Sequence, residues 1–212
     1  LYKESGFLAG ALIEDTNFKM AMAATSRDEL KGRYYDVITV CVKEGPAGAE
    51  LEREVESWKG KYYPKDALVL VVQMPKAINK GNLNGTLYSI IETDRRLKEM
   101  GIEPKDIKQR VILTAGGSGQ RKYPITLSEG KNNKSLVTSI GDMTNLANMF
   151  KQVCQFYSPK IEGLFVLSTD AIKVISNPNM IKEIEETGFG LNVIGATKSI
   201  QDDLKPYGCM RI

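Results

Sequence analysis

Five short apolar runs rich in β-branched residues punctuate the chain: "DVITVCV" from Asp36, "ALVLVV" from Ala67, "RVILTA" from Arg110, "GLFVLST" from Gly163 and "LNVIGAT" from Leu191. Runs that are apolar throughout, rather than at every second residue, predict strands covered on both faces, which is the condition of a parallel sheet. The stretches between them carry helical spacing. "AGAELEREVESWKG" sets Leu51, Val55 and Trp58 on one stripe of a charged helix. "TLYSIIETDRRLKEMG" spaces Leu87, Ile90, Ile91 and Leu97 helically and closes on Gly101, a C-cap residue type. "NLANMFKQVCQFY" aligns Leu146, Phe150, Val153 and Tyr157, and "MIKEIEETG" predicts one more short helix. Strands alternating with helices predict an α/β domain, with a mostly parallel (mixed) sheet and helices on both faces.

Two segments complete the plan. Residues 1–35 are expected to form a helical segment packed on the core, with a helix over Leu8–Met22 and a capping box in "SRDE" from Ser26 to Glu29. Residues 36–212 are expected to form the α/β domain. The chain starts on Leu1, and its last residues, "YGCMRI", read as a strand without a partner. Both features predict a piece of a longer parent, truncated at its C-terminus.

Composition narrows the chemistry. The chain has no histidine, which removes a Ser-His-Asp triad, a Cys-His pair and any histidine metal ligand. Catalysis would rest on carboxylates, Lys, Arg, hydroxyls, backbone amides or a bound metal, with positioning and charge neutralisation the devices, as in phosphoryl and nucleotidyl transfer. Cys41, Cys154 and Cys209 are far apart and make no zinc spacing, a pattern that fits reduced thiols in the cytoplasm. The net charge of +3 gives no argument for nucleic acid as a partner. No apolar run reaches the roughly 20 residues that span a bilayer, so no membrane role is expected.

In open α/β sheets, ligands bind beyond the carboxyl ends of the strands. Three segments follow strands in that position: "KGNLNGT" from Lys80, "GGSGQR" from Gly116 and "STD" from Ser168. The glycines of the second let backbone amides approach a phosphate, and Arg121 can pair with it; the alternative is a plain glycine-rich connection. Gly81, Asn84, Gly85 and Thr86 lie where a helix starts, with Thr86 a candidate cap, so the segment is either an anion site or a capped turn. Asp170 either holds Mg²⁺ or caps a turn. Lys131 and Lys134 either meet a phosphate or solvate a loop. A Walker A loop is absent, which argues against a P-loop kinase or NTPase.

Five segments in order resemble the nucleotidyltransferase part of the fucose-1-phosphate guanylyltransferases, a family that includes the L-fucokinase/GDP-fucose pyrophosphorylases. They are "YYDVITVCVKEGPAGAELEREVESW", "KGNLNGTLYSII", "RVILTAGGSGQRKYP", "EGK" and "GLFVLSTDAI". The resemblance implies a Rossmann-like nucleotide-sugar nucleotidyltransferase fold. It also implies a Mg²⁺-dependent reaction of a sugar 1-phosphate with a nucleoside triphosphate, GTP favoured, to give a nucleotide sugar and pyrophosphate. By the same resemblance Arg121 and Lys131 are catalytic, Asp170 binds the metal, and the nucleotide rests on Gly81, Asn84, Gly85, Thr86, Gly116, Gly117, Ser118 and Gly119. Ser118-Gly119 departs from the family's Asp-Ser, and Asn82-Leu83 from its denser glycine loop. These departures support an alternative: a catalytically weak nucleotide-binding module with a regulatory or assembly role.

Overall fold

In the computed structural model, the described residues are 2–78, 82–115, 135–138, 141–169 and 179–187. Four strands form one all-parallel sheet: β1 (Val37–Lys43), β2 (Val69–Met74), β3 (Gln109–Thr114) and, after a separate antiparallel hairpin of β4 (Ser135–Thr138) with β5 (Gly141–Thr144), β6 (Gly163–Ser168). Their order is β2-β1-β3-β6. The chain leaves β1 toward one side, through α3 to β2, and returns over β1, through α4 to β3. That reversal makes a doubly wound, Rossmann-like arrangement with its switch point between β1 and β3. The predicted strand "LNVIGAT" lies outside the described residues.

The helices are α1 (Tyr2–Met22), α2 (Arg27–Leu30), α3 (Pro46–Ser57), α4 (Asn82–Glu99), α5 (Asn145–Gln152) and α6 (Met180–Thr187). One face of the sheet packs on α3, α5 and α1 around rings. Ile38, Val40, Val71, Val111 and Leu113 meet Leu51, Val55, Trp58, Leu146 and Phe150 there. Phe150 is fully buried, tilted on Tyr63 at 5.0 Å and edge-on to Trp58 at 6.1 Å. Burying such a ring contributes about 1.5–3 kcal/mol, so this cluster carries much of the stability. Leu51, Val55 and Trp58 are all buried, as their spacing predicts. So are Leu146, Phe150, Val153 and Tyr157, although the helix tightens to 3₁₀ over Val153–Phe156 before Tyr157.

The other face is covered by α4, and its seam is small and polar. Gly85, Ser89, Thr93 and Leu97 recur every fourth residue and are buried. Thr93 and Thr39 of β1 share a hydrogen bond of 2.8 Å between their hydroxyls, and Ser89 Oγ donates to the Gly85 carbonyl at 2.8 Å. A buried hydroxyl without a partner is costly, so these pairings let polar residues stand in the seam. The expected apolar stripe is therefore corrected: Leu97 is buried, but Leu87 is 50% and Ile91 67% exposed. The expected C-cap is present. Gly101 adopts φ +74°, its N–H reaches Lys98 O, and the Ile102 N–H reaches Leu97 O, the Schellman pair.

At the N-terminus, Ser26 Oγ accepts from Glu29 N at 3.2 Å, and the Glu29 carboxylate takes the Thr25 N–H at 2.8 Å. The capping box is thus realised, with its return bond displaced by one residue. α1 is held on α5 and the 3₁₀ turn by polar pins. Asn17 donates to Cys154 O at 3.0 Å, and Lys151, nearly buried, pairs with Asp15 at 3.2 Å and Glu14 at 3.8 Å.

Candidate functional site

The carboxyl edge of the sheet is built by register. Cys41 pairs with Thr114, and Thr114 pairs with Ser168, so β3 and β6 end level with one another while β1 runs two residues further, to Lys43. Backbone and hydroxyl bonds lock this edge. Ala115 N donates to Cys41 O at 2.8 Å, Thr114 Oγ1 to Leu167 O at 3.3 Å, and Thr169 donates from N and Oγ1 to Thr114 O at 3.3 and 3.2 Å. Thr169 and Ala115 are buried, the last described residues before "GGSGQR" and Asp170. The two segments thus begin from neighbouring strands, of which β3 borders the switch point.

Gly81, Gly116, Gly117, Ser118, Gly119, Arg121, Lys131, Lys134 and Asp170 lie outside the described residues. Asn84, Gly85 and Thr86 are described, and all three stand inside α4 rather than in a loop. The helix starts at Asn82, so Thr86 is an interior residue and not the expected cap. The sequence signal for an earlier start was weak, because Asn and Gly favour caps and turns over helix interiors. Asn84 is exposed, while Gly85 is buried against the sheet. A Cβ at Gly85 would stand 3.2 Å from Met74 Sδ and 3.9 Å from Cys41 Sγ. Its lack of a side chain lets α4 approach β1 and β2 closely. Burial raises the Cys41 thiol pKa, which keeps it neutral and unreactive beneath that helix.

One segment of this edge escaped the sequence reading as a candidate: the turn from β1 into α3, "KEGPAG", whose β1 end faces the switch point. Gly45 caps α3 with φ +140° and Pro46 opens the helix. A Cβ on Gly48 would meet Lys43 O and the Gln73 side chain at 2.8 Å, so only glycine lets α3 sit this close to β1. The signal was available: two glycines flanking a proline directly after an apolar run.

No group of three Cys, Asp or Glu side chains that would hold a metal ion exists among the described residues. Asp170, the residue expected to hold magnesium, lies outside those residues. None of the described helices is long and apolar enough to cross a membrane. Among protein-family models, curated proteins and solved structures, none matches this chain.

Proposed function

We propose that this chain is a sugar-1-phosphate nucleotidyltransferase domain, with its nucleotide at the carboxyl edge of the sheet. The observation that carries the reading is the adjacency of β3 and β6, whose level ends run into "GGSGQR" and "STD", with β3 bordering the switch point. The ordered resemblance of five segments to the fucose-1-phosphate guanylyltransferases supports the same chemistry. In that reaction a sugar-phosphate oxygen attacks the α-phosphorus of a nucleoside triphosphate, GTP favoured. The bond from the α-phosphorus to the bridging oxygen breaks, and pyrophosphate leaves with that electron pair. The nucleophile is already anionic, so no general base is required, in keeping with a chain free of histidine.

In this reading the backbone amides of Gly116, Gly117, Ser118 and Gly119 hold phosphate oxygens. Arg121 and Lys131 offset their charge, and Asp170 supplies the protein ligand to Mg²⁺. Gly81, Asn84 and Thr86 line the approach at the start of α4, with Gly85 setting how closely that helix lies on the sheet. The partners are a nucleoside triphosphate and a sugar 1-phosphate, in the cytoplasm. The test is pyrophosphate release from Mg²⁺, each nucleoside triphosphate and a panel of sugar 1-phosphates. Release that Arg121→Ala and Asp170→Asn each abolish supports the reading; no release with any pair overturns it. Nucleotide binding without release favours the non-catalytic module that Ser118-Gly119 suggests.

A further inference from the structure

β2 stands at one end of the sheet order, so among the described residues one side of it has no strand to pair with. Ile38 N donates to Leu68 O and Glu44 N to Met74 O, each at 2.9 Å, which turns the even-numbered residues here toward β1. By the alternation of a strand, the backbone N–H and C=O groups of Val69, Val71 and Gln73 then face outward. The strand reads "VLVVQM", with no charge, proline or glycine. Its register with β1 runs unbroken from Val69 to Met74, so no bulge turns the edge away. An apolar edge of this kind is a template for a further strand, and proteins ordinarily blunt it with a charge, a proline or a bulge.

Here the blunting comes from a flanking helix. A groove of about 320 Å³ follows the edge, with Glu52, Arg53 and Glu56 of α3 on one side and Arg96 of α4 on the other. Arg96 reaches across it. Its Nη1 donates to Val71 O at 3.1 Å and stands 3.8 Å from Glu52 Oε1, while its Nε donates to Glu92 Oε1 at 3.0 Å. Glu52 also accepts from the Gln73 side chain at 3.2 Å. The guanidinium is thus fixed from both helices, and it occupies the middle outward carbonyl of β2. A planar fork of donors can serve a carbonyl and a carboxylate at once. Arg95, the next residue, spends its donors on Glu92 and Glu99 and leaves the strand alone. The edge is self-complementary: an antiparallel β2 from a second copy would set Val71 opposite Val71 and Val69 opposite Gln73. That pairing needs both Val71 carbonyls and brings two Arg96 side chains together near the two-fold axis, where like charges repel.

We propose that Arg96 is an edge guard, which keeps β2 from pairing with the β2 of a second copy of this chain. The inference does not rest on the nucleotide reading, so either can fail alone. The test compares sedimentation and amide hydrogen exchange of the wild type, Arg96→Ala and Arg96→Met, the last keeping the aliphatic stem on α4, at about 0.1 mM chain. The wild type should be monomeric, with fast exchange at Val69 and Val71. Both variants should sediment as dimers, with exchange at Val69 and Val71 slowed about tenfold or more. Adding Val69→Pro, which deletes an outward N–H and spares the ladder to β1, should return them to monomers. Arg95→Ala should behave as the wild type. Monomeric Arg96 variants, dimers that persist with Val69→Pro or form equally in Arg95→Ala, or slow exchange at Val69 and Val71 in the wild type would each overturn the proposal.

Discussion

The two faces of the sheet are built on different principles. On the α3 face, large rings and branched side chains fill space, and the polar atoms of Tyr34, Tyr35 and Tyr63 end on carbonyls. On the α4 face, Gly85, Ser89 and Thr93 let a helix lie close to the strands, held by paired hydroxyls. The first face is stabilised by volume, the second by approach and satisfaction. α4 spans β1, β2 and β3, and the register puts Leu164 and Val166 of β6 level with Arg110 and Ile112 on its face. They stay 41% and 46% exposed. The link from β3 to β6 runs in the same direction as the link through α4, yet its helix, α5, packs on the opposite face.

This contrast can be broken most severely at its ring centre. Phe150→Ala should cost about 3–5 kcal/mol, because the void is walled by Trp58 and Tyr63, which cannot both collapse into it. Urea unfolding followed by the Trp58 signal measures it, and a loss under 1 kcal/mol would mean the ring cluster is not the core. The α4 face answers to pairing instead. Thr93→Val should cost about 1–3 kcal/mol by stranding the Thr39 hydroxyl, whereas Thr39→Val with Thr93→Val should be nearly neutral. Additive losses in the double variant would contradict a hydroxyl pair.

Acid separates the faces more gently. On α4, the Arg95 and Arg96 guanidiniums hold Glu92 down to about 2, below its ordinary 4.5. A lowered folded pKa gives stability that is present above 4.5 and lost as pH falls toward 2. On the α1 side, burial raises Glu14, against the pull of Gln155 and Lys151. Its sign is opposite: that contribution is full below 4.5 and lost as pH rises through the raised value. Unfolding of Glu92→Gln and Glu14→Gln between pH 2 and 7 should therefore diverge in opposite senses; parallel pH curves would refute the assignment. The smallest effect belongs to Ile91→Lys, expected within about 0.5 kcal/mol because the side chain is exposed. A large loss there would show that this apolar stripe is buried in the working protein.

The contrast also explains what was legible in the sequence. Strands β1, β2, β3 and β6 were readable because their apolar runs are continuous, and α3 because Leu51, Val55 and Trp58 are large. The α4 seam was not. Apart from Leu97, its buried residues are Gly, Ser and Thr, which read as surface, while the conspicuous Leu87 and Ile91 face outward. The start of α4 was hidden for the same reason, since "NLNGT" has the composition of a turn. At the site, the glycine loop after β3 and the Asp after β6 stood out by composition. The turn "KEGPAG" did not, because its role is an approach distance at Gly48.

The central claim is that the carboxyl ends of β1, β3 and β6 form a nucleotide site, and an amide NMR titration of the chain with GTP and Mg²⁺ tests it most directly. Saturable shifts centred on Thr114, Ala115, Ser168, Thr169 and Asn84, with Asp36, Gln109 and Gly163 unmoved, are the predicted result. Shifts centred on the amino ends of the strands, or none with any nucleoside triphosphate, would contradict it.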